Sequence, residues 1–184
     1  WGLGTLPFYF AEIAPYEYGD NILGALLREA QFKAQELIPS SGMISTNDLV
    51  EAFEARNIHP RNKTTVGKRL CYLALTRTYG VKGIVDQGPI YQSMEIKDGK
   101  AIISFSNAPE GFSRMNGIEG FEVAGADKVF YPAVAVVDWN KHIIVSSDQV
   151  PQPVAVRYAF KNFQPGNLHN HREQPVFPFR TDNW

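Results

Sequence analysis

The sequence predicts an α/β domain followed by a β-rich region that resembles an antiparallel sandwich. In the first half of the chain, strand-like and helix-like stretches follow one another in the order strand, helix, strand, loop, helix, which is typical of a layered α/β domain. After Gly88 the chain changes to short strand-forming runs separated by turn residues. We therefore predict one domain over residues 1–85 and a second over residues 86–184.

Composition excludes several classes of protein. The 184 residues are 44% hydrophobic and 20% charged, which favours a folded chain over a disordered one. A net charge of −1 gives no reason to expect nucleic acid or an anionic membrane as a partner. There is neither an apolar run of membrane-spanning length nor a signal-peptide pattern. The single cysteine, Cys71, excludes an intramolecular disulfide, and its place inside a predicted helix indicates a buried thiol.

The first domain contains two strand-like runs and two helix-like runs. Residues 8–13 are aromatic and β-branched with little alternation, which predicts a strand covered on both faces, and residues 43–49 predict a second strand. A helix is predicted over residues 22–37 with Asn21 as its N-cap, and another over residues 64–79. The apolar face of the first helix is expected to consist of Leu23, Leu26, Leu27, Ala30 and Ala34. Because two strands make a small parallel sheet, we expect further strands from outside this chain.

The second domain begins with a hairpin. Residues 90–96 and 100–106 flank Asp98 and Gly99, and an Asp-Gly pair is a strong hairpin signal. Further strands are predicted at residues 120–124, 129–137, 143–146 and 154–160. From residue 164 onwards the chain lacks periodicity, and we expect an ordered but irregular tail held by Phe177, Phe179 and Trp184.

The loop of residues 57–63 (NIHPRNK) has the densest cluster of chemically capable side chains. Pro60 fixes its own φ and disfavours the α region for His59, so the histidine lies on a short, stiff connection. A general base must be held in a fixed orientation toward the proton that it removes. From the loop alone, a surface histidine without a role is the competing interpretation.

Eight stretches, in order, resemble the C-terminal half of the sialate O-acetylesterase family of SGNH-type carbohydrate esterases. They are residues 6–16 (LPFYFAEIAPY), 27–31 (LREAQ), 46–49 (TNDL), 57–63, 66–70 (VGKRL), 120–127 (GFEVAGAD), 153–159 (PVAVRYA) and 178–182 (PFRTD). The resemblance implies the C-terminal part of an SGNH-type α/β/α hydrolase domain, followed by the β-rich region. It also implies removal of O-acetyl groups from sialic acid or related sugars through an acyl-enzyme, in a periplasmic or secreted protein.

The same resemblance assigns roles to residues and to a partner. His59 matches the family's catalytic histidine, which takes the proton of the serine nucleophile and returns it to the leaving sugar hydroxyl. No serine of this chain lies in a nucleophile motif. The serine and the oxyanion hole are therefore expected on an N-terminal half of the same enzyme, and this chain alone is expected to be inactive. Neither a cofactor nor a metal is implied.

The acid that orients His59 is open among three candidates. Many related esterases place an aspartate three residues before the histidine, but here that residue is Arg56, which cannot accept a hydrogen bond. Asp48, in the matching TNDL stretch, is the first choice. Glu54 is nearby, and a backbone carbonyl could instead hold Nδ1, leaving a serine–histidine dyad.

Arg28 and Gln31 are the candidate substrate-binding residues. They are three residues apart and so share a helix face, where an arginine could bind a sugar carboxylate. An ion pair of Arg28 with Glu17 or Glu29 is the structural alternative. His169 and His171 have no acid spacing that indicates a metal site. A non-catalytic carbohydrate-binding or structural module remains the alternative for the chain, since it accounts for the missing serine and for Trp139.

Overall fold

A computed structural model of the protein describes residues 2, 4–19 and 21–184. The chain divides into two compact units, of which one is Trp1–Gln87 with Lys161–Phe163 and the other is Gly88–Phe160 with Gln164–Trp184. In the described part of the chain, no helix has the length and apolar character needed to cross a membrane.

The first unit is built on a short parallel sheet. Strands β1 (Phe8–Ala11) and β2 (Ser41–Ile44) pair in parallel, with Phe8 opposite Ser41. Helix α1 (Leu23–Leu37) connects them, as predicted within one residue. Its N-cap is Ile22 and not the predicted Asn21, although the side chain of Asn21 accepts a hydrogen bond from the Leu23 amide at 3.0 Å. The second strand ends at Ile44, five residues before the predicted end. It ends there because the polar residues that follow bind side chains instead of continuing the sheet.

The predicted apolar face of α1 is not its buried face. The helix buries Gly24, Ala25 and Arg28, whereas Leu23 and Leu27 are 65% and 46% exposed. The helix is amphipathic, as predicted, but the surface against which its leucines would pack is not supplied by the described residues. The predicted apolar face thus includes leucines that are exposed among the described residues.

The second helix, α2, covers Lys63–Leu73 and continues as a π-helical turn over Ala74–Thr78. The Asn62 side chain accepts a hydrogen bond from the Thr65 amide at 3.1 Å and so caps the helix. Arg69 and Leu73 are its buried residues. Cys71 lies on another face and is exposed, so the expected buried thiol was wrong.

The second unit contains two four-stranded antiparallel sheets, which confirms the predicted mixture of helices and antiparallel β-structure. The first sheet has the order β3-β4-β8-β7, with β3 Ile90–Lys97, β4 Lys100–Ser106, β7 Val134–Val137 and β8 Ile143–Ser146. The second has the order β10-β9-β5-β6, with β5 Phe121–Ala124, β6 Phe130–Pro132, β9 Ala155–Tyr158 and β10 Phe179–Arg180. The strand predicted over residues 129–137 is thus two strands, which belong to different sheets.

One hydrophobic core lies between these two sheets. It takes Ile103 and Val145 from the first sheet and Val123 and Val156 from the second, all fully buried. Phe179 joins them, with its ring 4.9 Å from Tyr91 and 5.6 Å from Phe105. The tail that was predicted to be irregular therefore supplies the edge strand β10 and a central core side chain.

Candidate functional site

The carboxyl ends of β1 and β2 carry a buried polar network. Glu12 directly follows β1, and its Oε1 accepts hydrogen bonds from the Ser45 hydroxyl at 2.5 Å and the Thr46 amide at 2.8 Å. Burial raises the pKa of the Glu12 carboxyl, while the charge of Arg28 opposes that shift. Ends of parallel strands meet at one sheet edge, which is where ligand sites of open α/β sheets lie.

Asp48 lies in this network and is bound by an arginine. Its two carboxylate oxygens accept hydrogen bonds from Arg69 at 2.7 and 2.6 Å, and Arg69 also donates to the Ser45 carbonyl at 2.9 Å. Both side chains are at least nine-tenths buried. A bidentate, buried pair of this kind holds the turn after β2 against α2. The carboxylate of Asp48 is thus directed at Arg69.

Arg28 and Gln31 bond to main-chain groups. The guanidinium of Arg28 is buried and donates to the carbonyls of Lys161 and Asn162. Burial lowers its pKa, and the nearby charge of Glu12 opposes that shift. Gln31 Oε1 accepts a hydrogen bond from the Ile13 amide at 2.8 Å. The two residues therefore hold residues 161–162 and the chain after β1 to helix α1.

The acidic partners once considered for Arg28 have other contacts. Glu17 forms an ion pair with Arg56 at 2.9 Å, and Glu29 forms one with Lys33 at 3.3 Å. Glu12 is the carboxylate whose charge acts on Arg28.

The loop of His59 is fixed by two side chains that accept backbone N–H groups. Asn57 Oδ1 accepts the His59 amide at 3.0 Å, and Glu54 Oε1 accepts the Arg61 amide at 2.9 Å. The other oxygen of Glu54 accepts the Glu51 amide at 3.1 Å. These backbone hydrogen bonds hold the pKa of Glu54 below its usual value. The loop is therefore held from both ends by short-range bonds.

The His59 side chain itself is exposed, and its imidazole makes no hydrogen bond within the described residues. Neither Asp48 nor Glu54 bonds to it. The carboxylate of Asp48 binds Arg69, and that of Glu54 binds backbone amides. Such a ring is presented on a rigid loop and is available to a group that approaches from outside. This is the geometry that a general base needs before its nucleophile is in place.

A cavity of about 400 Å³ lies in the same unit as His59. Its wall is formed by the segment after β1, the turn before the histidine loop and the 161–163 segment that Arg28 holds. The lining residues are Glu17, Gly19, Asn21, Ile22, Ala55, Lys161, Asn162 and Phe163. Asn162 is anchored in it by the Gly24 amide at 2.7 Å and the Gly19 carbonyl at 2.9 Å. The cavity combines amide, carboxylate and ammonium groups, which suits a hydroxylated ligand.

Comparison with a solved structure gives this geometry a context. The chain superposes on the crystal structure of a novel carbohydrate acetylesterase from Xanthomonas citri with a TM-score of 0.86 and 37% sequence identity. The chain is similar to a carbohydrate acetylesterase. The similarity covers 98% of this chain but 42% of that acetylesterase, so the chain spans less than half of its length. Neither a family model nor a curated protein matches the chain.

The likeness to the acetylesterase structure supports the mixed fold of helices and antiparallel sheets. The described residues hold no group of three His, Cys, Asp or Glu side chains that could bind a metal. Ser45 is buried, and its hydroxyl donates to Glu12.

Sequence reasoning missed the partners of two residues that shape the candidate site. Arg69 was part of a matching stretch, but nothing in its spacing linked it to Asp48, which lies 21 residues earlier. Glu54 was considered only as an acid for His59, and instead it holds the histidine loop through the Arg61 amide. The three-residue spacing of Glu51 and Glu54 was a detectable signal, because it is the spacing of a capping box.

Proposed function

We propose that this chain is the histidine-bearing part of a carbohydrate esterase that removes O-acetyl groups from sialic acid or related acetylated sugars. The observation that carries the proposal is the exposed imidazole of His59 on a loop fixed by Glu54 and Asn57. The similarity to an acetylesterase over 98% of the chain supports it. The proposed fold of the first unit is the C-terminal part of an SGNH-type α/β/α domain, and the proposed location is the periplasm or the exterior.

In this mechanism His59 acts as the general base. It removes the proton of a serine hydroxyl as that oxygen attacks the acetyl carbonyl, and it returns the proton to the departing sugar hydroxyl. Water, deprotonated by the same imidazole, then releases acetate from the serine. The serine and the oxyanion donors are proposed to lie on an N-terminal half of the enzyme.

The contacts bear on which group orients His59. Asp48 was the first candidate, but Arg69 occupies both of its oxygens, and backbone amides occupy both oxygens of Glu54. The His59 imidazole bonds to none of the three candidates in the described residues, a backbone carbonyl included, and we propose the dyad as the form that needs no orienting acid. Asp48 is then proposed to stabilise the turn after β2.

The proposed binding site for the sugar is the cavity near the histidine loop. Arg28 contributes by fixing the carbonyls of Lys161 and Asn162, and Gln31 contributes by fixing the chain after β1. Lys161 lines the cavity and could pair with a sugar carboxylate, the role first considered for Arg28.

The decisive experiment is a chimera in which this chain replaces the matching segment of the Xanthomonas citri acetylesterase. We expect the chimera to hydrolyse 4-nitrophenyl acetate and an O-acetylated sialic acid, and the 184-residue chain alone to hydrolyse neither. His59→Ala should lower kcat by about three orders of magnitude or more, as loss of a triad base does. His171→Ala, at an exposed histidine of the second unit, is the matched control and should leave kcat unchanged.

Three outcomes would contradict parts of the proposal. An active chimera that keeps its rate after His59→Ala has another base. A kcat loss in Asp48→Asn similar to that in His59→Ala, without loss of folding stability, would restore Asp48 as the orienting acid. Hydrolysis by the 184-residue chain alone would show that the nucleophile lies within it.

A non-catalytic carbohydrate-binding or structural module is the second candidate function. It is favoured by the absence of any hydrogen bond between the His59 imidazole and a serine of the described residues. A folded chimera with no esterase activity, but with binding to a glycan, would support it.

A further inference from the structure

The turn between β7 and β8 presents a tryptophan to solvent. Trp139 is 97% exposed, which is more than any other large hydrophobic side chain among the described residues. Tryptophan is usually well buried, and it is enriched at surfaces that bind another molecule. The hydrophobic core of the second unit does not use this residue.

The turn is rigid because Asp138 ties it together. Its Oδ1 accepts the amides of Asn140 and His142, both at 2.8 Å, and its Oδ2 lies 3.2 Å from His142 Nδ1. The Asp138 amide donates to the His142 carbonyl at 2.9 Å, and the Lys141 amide donates to the Asp138 carbonyl at 3.1 Å. The indole therefore lies on a preorganised turn, which reduces the entropy lost when a ligand binds.

Charged and polar groups flank this turn. The Lys141 ammonium donates to the Pro109 carbonyl, which brings the 109–111 segment alongside. There Glu110 forms a two-point ion pair with Arg172, at 3.0 and 3.2 Å, and both side chains are more than half exposed. A carboxylate that accepts and cations that donate can together satisfy the hydroxyl groups of a sugar.

We propose that Trp139 is a stacking platform for a neutral pyranose ring, with Glu110, Lys141 and Arg172 as hydrogen-bonding partners of its hydroxyls. The flat face of a ring whose hydroxyls are all equatorial, as in β-linked glucose, fits an open indole. A neutral ring is favoured over an acidic one because the Arg172 guanidinium already bonds to Glu110. The site would hold the glycan in the second unit, while His59 belongs to the first. Carbohydrate as the ligand class rests on the proposed function.

Titration of the 184-residue chain with cellohexaose, by calorimetry and by tryptophan fluorescence, tests this site. We expect binding with a Kd of about 1 mM, and at least about tenfold weaker binding for Trp139→Ala. Trp184→Phe is the matched control, because Trp184 is also partly exposed but lies against Lys128, and it should bind like the wild type. Glu110→Gln should weaken binding about twofold to fivefold, within the usual range for one exposed hydrogen bond.

The side chain of Trp139 makes almost no buried contact, so Trp139→Ala should keep the thermal midpoint of the wild type, and that measurement accompanies the titration. No calorimetric heat with cellohexaose up to about 10 mM, or equal binding by Trp139→Ala, would overturn the proposal. Tryptophan-dependent self-association in place of glycan binding would assign the surface to a protein contact and would equally overturn it. None of these readings depends on hydrolysis, so the esterase proposal and the glycan site can fail separately.

Discussion

At the scale of single residues, the candidate site depends on side chains that accept backbone N–H groups. Asn57, Glu54 and Asn62 each accept at least one such bond around the histidine loop. Asn57 and Asn62 were readable from sequence, because asparagine is frequent at turns and helix N-caps. Glu54 was visible as a nearby acid, but its partner was not, since the Arg61 amide lies seven residues away.

Glu54→Gln tests the role of this carboxylate. The substitution removes the charge and one acceptor, so the amides of Glu51 and Arg61 should exchange hydrogen several-fold faster. Hydrogen exchange followed by mass spectrometry measures this, and Glu36→Gln on α1 is the control. Unchanged exchange at residues 57–62 would show that Pro60 and Asn57 hold the loop without Glu54.

The same group predicts a pH dependence of loop order. The pKa of Glu54 lies below its usual value of 4.5 in the folded chain, because backbone hydrogen bonds stabilise the carboxylate. The stabilisation of the loop by the Glu54 carboxylate is therefore fully present above pH 4.5. It is lost as the pH falls through the lower, folded-state pKa. Exchange of the Arg61 amide, corrected for its intrinsic rate, should thus stay slow from pH 7 down to about 4.5 in the wild type. Below pH 4.5 the corrected rate should rise in the wild type as Glu54 is protonated, whereas in Glu54→Gln, which has no charge to lose, it should not change with pH.

At the scale of elements, local sequence signals correctly predicted those turns and strands whose form does not depend on contacts with distant parts of the chain. The Asp98-Gly99 turn was correct because both residues adopt positive φ, 49° and 72°, as the hairpin twist requires. The strand predicted over residues 43–49 was too long, because Ser45 and Thr46 bind Glu12 from another strand. The break between β6 and β7 was equally unpredictable from the sequence. It arises because β6 and β7 join different sheets.

Gly99→Ala tests the hairpin turn. An added Cβ would lie 2.8 Å from the Pro151 carbonyl oxygen, and positive φ disfavours any residue with a Cβ. We expect a loss of about 1–2 kcal/mol in the free energy of unfolding, measured by urea denaturation. Gly67→Ala in α2 is the matched control. Its Cβ would meet nothing within 4 Å, so it should stabilise the chain by about 0.5–1 kcal/mol. Equal effects of the two substitutions would mean that the turn relaxes.

At the scale of the whole molecule, the chain consists of two units, and the structure of the second was more predictable from the sequence than that of the first. The second unit has its own core between two sheets, and its strands were largely predictable because each alternates or carries β-branched residues. In its described residues the first unit has two strands and leaves much of its apolar sequence exposed, including Leu6, Phe8, Leu23, Leu27 and Leu37. The amphipathic pattern of a helix predicts that its apolar face will be covered, but it does not identify the surface that covers it.

The exposed apolar residues of the first unit give the last prediction. If an N-terminal half of the enzyme normally covers them, the 184-residue chain should bind a hydrophobic dye and self-associate at high concentration. Leu23→Gln with Leu27→Gln should reduce both effects by about half or more without lowering the free energy of unfolding by more than about 0.5 kcal/mol, because these side chains are exposed in the chain alone. Val134→Gln is the control, since Val134 is also exposed but lies in the second unit, and it should leave dye binding unchanged.

In the chimera with the acetylesterase, the same two leucine substitutions should lower the free energy of unfolding, by roughly 1–3 kcal/mol for each buried leucine replaced by a polar group. Dye binding and sedimentation, followed by urea denaturation of both proteins, measure these differences. A chimera as tolerant of the two glutamines as the isolated chain would show that this face of α1 has no partner in the complete enzyme.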